Sequence, residues 1–147
     1  MTREDKELLL KDLSARLPYG IKIKLTRWVM GEGTYTNTIL GPDHIKQFLN
    51  DEDGDTEIKP YLFPMSSMTE EEFTKLKEYS SLKYDQLDLT SFQNGTYKCL
   101  DFYLSEVPSG AVIRVFDWLN KYHFDYRDLI QMDLAIAVTK ENNPYSI

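Results

Sequence analysis

The chain has 147 residues, with 17 Lys and Arg against 24 Asp and Glu for a net charge of −7, two His, one Cys and an aromatic content of 13%. That length is enough for one domain with a real core, and 41% hydrophobic with 28% charged residues is neither a disordered nor a fibrous composition. A lone Cys99 excludes an intramolecular disulfide and a multi-cysteine zinc site, while the densest basic stretch, Lys22, Lys24 and Arg27, is too small for the counterion-displacing surface that direct nucleic-acid binding needs.

The expectation is a single domain over 1–147. Its charged start precedes only the short apolar run Leu8 to Leu10, and no stretch anywhere reaches the length of a secretory or membrane-spanning segment, so a cytoplasmic protein without membrane contact is expected. Thr2 with Asp5 resembles a capping box, and Leu9, Leu10, Leu13 and Leu17 follow at helical spacing, which predicts a helix over 3–16 stopped by Pro18 and Gly20. Ile21, Ile23 and Leu25 alternate with Lys22, Lys24 and Thr26 as in a strand with one buried face. Gly31-Glu32-Gly33 turns the chain into the Thr-rich run Thr34 to Leu40, closing a first hairpin.

Gly41-Pro42-Asp43 breaks that strand, and His44 to Leu49 reads as a short helix with Ile45, Phe48 and Leu49 inward and His44 in solvent. Pro60 and Pro64 flank Tyr61-Leu62-Phe63, so 51–68 reads as a long packed connection. Thr69 with Glu72 is a second capping box, opening a helix with Phe73, Leu76 and Tyr79 on its apolar stripe and ending near Ser81. Asn94-Gly95 is a strong hairpin signal, joining a strand that ends near Phe92 to one over 96–105. Val112, Ile113, Val115, Phe116 and Leu119 mark an amphipathic helix to Lys121, Asp125 can cap a short helix over 126–132, Ala135 to Val138 is a short strand, and the tail over 140–147 is expected to fray. Segregated hairpins and helices of this kind indicate an α+β fold, a small antiparallel sheet of two hairpins covered by helices on one face.

Three patterns bear on chemistry. Asp51, Asp53 and Asp55 occupy the first carboxylate positions of a calcium loop, but Thr56 stands where Gly is needed and Leu62 where a bidentate Glu is needed, so an acidic solvated turn is the better reading and a metal site the alternative. His123, Asp125 and Arg127 can supply a base and an anion clamp, the alternative being a small metal-assisted or His/Asp-dependent hydrolase; Asp125 as a cap is the structural reading. Ser80-Ser81-Leu82-Lys83 matches S-x-x-K without the companion motifs of acyl-enzymes, and Cys99 has no activating neighbour. No cofactor signature occurs. The ten tyrosines are the remaining feature: Trp28 on the Lys22/Lys24 side of its strand, with Tyr35, Tyr97 and Tyr103, forms a candidate protein-binding face.

The segments 1–13 with Ala15-Arg16-Leu17-Pro18-Tyr19-Gly20, Ile58-Lys59-Pro60-Tyr61-Leu62 with 64–72, and Asp117-Trp118-Leu119-Asn120-Lys121 with 123–130 together resemble a group of short uncharacterised proteins of gut Bacteroides and their phages or mobile elements. The resemblance spans most of the chain, with 22–57 and 73–110 divergent. It implies a small intracellular bacterial or phage protein and brings no catalytic residue. The function expected is therefore that of a non-enzymatic binding or regulatory module whose partner is another protein, with an acidic inhibitor of a DNA-binding protein as a minor alternative.

Overall fold

Thr2 opens the first helix as its sequence requires: its Oγ1 accepts the Asp5 N–H at 3.0 Å, and the Asp5 carboxylate accepts the Thr2 N–H at 3.2 Å. In the computed structural model, which describes residues 1–82, 87–94 and 109–146, this helix, α1, covers Arg3–Arg16. A 3-10 turn at Leu17–Tyr19 leads through Gly20, at φ +67°, into β1 (Lys22–Val29), which pairs antiparallel with β2 (Glu32–Ile39). Helix α2 (Pro42–Leu49) and strand β3 (Thr56–Leu62) follow, then a 3-10 turn at Met65–Ser67, α3 (Glu70–Ser80), α4 (Leu89–Gln93), α5 (Ser109–Lys121) and β4 (Ile136–Ala137). The fold is α+β, with an open sheet in the order β2-β1-β3-β4, antiparallel except for the β3–β4 pair.

The chain divides into two compact units, Met1–Leu62 with Leu129–Ile147, and Phe63–Asp128. In the first, Leu9 and Leu13 of α1 and Phe48 of α2 pack on Ile23 and Leu25 of β1 and Ile58 and Leu62 of β3, so the helices cover one sheet face. Seven residues after Leu9, Arg16 falls on that same inner stripe, and its guanidinium meets Asp12 at 2.8 Å with both side chains fully buried. In the second unit Phe73 and Leu76 of α3, Phe92 of α4, and Val115, Trp118 and Leu119 of α5 form the core with Phe124. The Thr69–Glu72 box opens α3 as expected.

Several sequence expectations give way. The connection expected over 51–68 holds β3, a strand with a neighbour on both sides. Trp28 N–H donates to the Asp55 carbonyl at 2.8 Å, which fixes the parity: odd residues of β3 bond β1, and Pro60, paired with Ile23, turns its nitrogen to the other side, where β4 pairs only with Tyr61 and Leu62. The missing donor of proline removes no bond to β1. The strand expected to end at Phe92 is instead α4, capped by Asp88, whose carboxylate accepts the Ser91 N–H at 2.9 Å; Asn94 closes that helix, and the partner strand over 96–105 lies outside the described residues.

The helix expected over 126–132 is a series of turns. The tail expected to fray is tied down by Tyr145, whose hydroxyl donates to the Tyr61 carbonyl at 2.8 Å and accepts the Lys22 N–H at 3.0 Å. Burial pushes the Tyr145 phenol far above its ordinary range, against the opposing pull of the Lys22 N–H. His44 is half-buried and caps α2 by accepting the Gly41 N–H at 2.9 Å, whereas Leu49, Tyr79 and Ile113, expected inside, are exposed.

Candidate functional site

Period-two alternation puts Lys22, Lys24, Thr26 and Trp28 on the sheet face opposite Ile23 and Leu25, and the register adds Gly33, Tyr35, Asn37 and Ile39 of β2 to it. Trp28 stands opposite Gly33, and its indole lies across that glycine: a Cβ there would come within 2.6 Å of the ring. One ring face is thus packed on backbone while Trp28 stays 46% exposed, beside Tyr35 at 65%. Lys24 Nζ sits 4.5 Å from the Tyr35 ring centroid, a cation–π contact that orients the phenol, and Asn37 accepts the Tyr61 hydroxyl at 2.8 Å. Burial raises the Tyr61 phenol, with Tyr35 adding to the shift and the Asn37 bond opposing it.

Beyond Trp28 the hairpin ends in a two-residue turn, Met30-Gly31, with φ of +52° and +82°. Both values suit a type I′ turn, where Asn-Gly is favoured and Met is strained. Met30 is 99% exposed and Val29 67%. A full apolar side chain in water at a strained position is unfavourable for folding alone. No sequence pattern marked Val29 or Met30; a Met-Gly pair two residues after a Trp was the signal available.

The acidic turn lies at this same end of the sheet. Asp51 braces it, its two carboxylate oxygens accepting the Asp55 N–H at 3.1 Å and the Thr56 N–H at 2.9 Å, and the Trp28–Asp55 bond joins the turn to β1. Asp53 and Asp55 remain exposed. Among the described residues no three His, Cys, Asp or Glu side chains gather into a metal-binding group.

The 123–128 segment is built as a helix stop. Phe124 N–H reaches the Leu119 carbonyl at 2.9 Å and His123 N–H the Asn120 carbonyl at 3.3 Å, a Schellman arrangement with His123 at φ +66° where glycine is usual. Asp125 is buried, its N–H donates to the Phe63 carbonyl at 2.9 Å, and the turns that follow it leave no helix for it to cap; Arg127 lies 4.8 Å from the Tyr126 ring centroid. Ser80, at the end of α3, donates its hydroxyl to the Leu76 carbonyl at 2.7 Å. Tyr97, Cys99 and Tyr103 lie outside the described residues, so the structure brings together Trp28 and Tyr35 of the expected face.

No known protein family, curated protein or solved structure matches this chain. No helix among the described residues is long and apolar enough to cross a membrane.

Proposed function

We propose that the chain is a non-enzymatic binding module of a bacterial or phage accessory system, engaging another protein through the hairpin face of Trp28 and Tyr35 and the tip of Val29 and Met30. The observation that supports this reading is the Trp28 indole, held flat on Gly33 with its outer face in water. An aromatic pre-set in one orientation loses little entropy when a partner covers it, which is why Trp and Tyr dominate binding hot spots. The exposed acids of the 51–55 turn lie at the tip end of this face, while Lys22 and Lys24 lie toward the other, a polarity that would fix the direction of docking.

Photo-crosslinking in host extract tests this reading. A benzophenone side chain at position 35 should capture a discrete partner other than a second copy of this chain, and Trp28→Ala should abolish that product. The same probe at Tyr79, exposed in the other unit, should capture nothing comparable. Equal products from both positions, or a product indifferent to Trp28, would refute it.

A further inference from the structure

Among the described residues β2 is a terminal strand of the sheet, and it is exposed along nearly its whole length. Proteins usually blunt such edges with a bulge, a proline, an inward charge or a short strand. β2 spans eight residues, Glu-Gly-Thr-Tyr-Thr-Asn-Thr-Ile, all paired in register with β1, with no proline and one charge at its end. Leu40 N–H donates to the Ile21 carbonyl at 2.9 Å, so even residues of β2 bond β1. The peptide groups of Gly33, Tyr35, Asn37 and Ile39 therefore point out from the edge.

We infer that this edge pairs with β2 of a second copy, antiparallel about a two-fold axis through Thr36. The inference goes beyond the proposed function and does not depend on it. Pairing outward-facing residues leaves few registers, and the one centred on Thr36 is self-complementary. It sets Gly33 opposite Ile39 of the second copy and Tyr35 opposite its Asn37; on the other face Thr34 meets Thr38 and Thr36 meets itself. Threonine pairs of this kind stabilise sheets, and no like charges face each other, since Glu32 falls opposite Leu40. The Trp28 indole supplies the strongest fit. It lies across Gly33 toward the open edge, so the 55%-exposed Ile39 of the second copy would sit against it, and symmetry repeats the contact. Because the axis is perpendicular to the sheet, both aromatic faces end on the same side of one continuous sheet.

Sedimentation equilibrium on the full chain tests the pairing without any partner. The wild type should move from 17.2 kDa toward twice that mass with rising concentration. Thr36→Lys and Thr36→Glu each place like charges opposite one another on the axis and should weaken the dimer at least about fivefold. An equimolar mixture of the two variants should restore it. Asn37→Pro, which removes an outward N–H, should also give a monomer with unchanged far-UV circular dichroism, while Asn37→Ala stays dimeric; should the proline variant misfold, the charge pair alone decides. A wild type that stays at 17.2 kDa up to its solubility limit, or charge variants that dimerise singly as well as the wild type, would overturn the inference.

Discussion

Trp28 and Gly33 face each other across β1 and β2, and the indole occupies the space a side chain at 33 would need. Gly33→Ala therefore should lift the ring off the strand. Alanine is the better strand residue, which offsets the lost ring packing, so the net change in stability should stay within about 1 kcal/mol. The sensitive readout is iodide quenching: Trp118 is buried, and the quenchable fraction of emission reports Trp28. An unchanged quenching profile would show that the ring keeps its place.

Met30 carries φ +52° beside Gly31 at +82°. Met30→Asn supplies the residue this turn prefers and should stabilise the protein by roughly 0.5–1 kcal/mol, seen as a higher urea midpoint. If the tip serves binding, the same variant should lower the yield of the Tyr35 crosslink. Gain of stability with loss of capture is the signature expected of a residue retained for contact.

Asp12 and Arg16 form a fully buried ion pair on α1. Removing the carboxylate takes from the buried Arg16 guanidinium its ion-pair partner on α1, and Asp12→Ala should cost about 3–5 kcal/mol. Replacing both, as Asp12→Leu with Arg16→Met, should recover most of that loss, because the desolvation of both ions disappears together. Chemical denaturation of the three proteins decides the point.

Tyr145 bridges the Lys22 N–H and the Tyr61 carbonyl. Its phenol, and to a lesser degree that of Tyr61, is raised by burial above the ordinary value of 10.0. A raised folded-state value favours the neutral form, so this contribution is fully present below pH 10.0 and is lost as pH climbs toward the folded value. Tyr145→Phe should cost about 1–2 kcal/mol near neutral pH. It should also flatten the alkaline limb of the stability curve, since the variant no longer carries that phenol.

What the sequence discloses here is local. The capping residues Thr2 and Thr69 and the alternation of Ile23 and Leu25 depend on neighbours a few positions away, and each is found where it was expected. Strand β3 was hidden because Pro60 reads as a breaker until one knows which side of the strand its nitrogen faces. At Phe92 the expectation of a strand rests on Asn94-Gly95, whereas the structure shows Asp88 capping α4 through the Ser91 N–H. The anchoring of Tyr145 depends on backbone groups distant in sequence, which no window reads. The same holds for the site: period two placed Trp28 and Tyr35 on one face, but only the fold brings the acidic turn to the end of that hairpin.

The insertion of Phe63–Asp128 between β3 and the segment that completes the first unit has a temporal side. β3 waits for Ile136 and Ala137, and the bond from Tyr145 to Tyr61 spans 84 residues. On the ribosome, β1, β2 and β3 emerge early with that side of the sheet unmet, while the inserted unit already has all of its own chain in hand. Loop closure over such a distance is slow relative to local helix and hairpin formation. Synthesis thus imposes an order in which the later-encoded unit is able to fold first, and the nascent β3 edge is a natural client for a chaperone until residues 136–145 arrive.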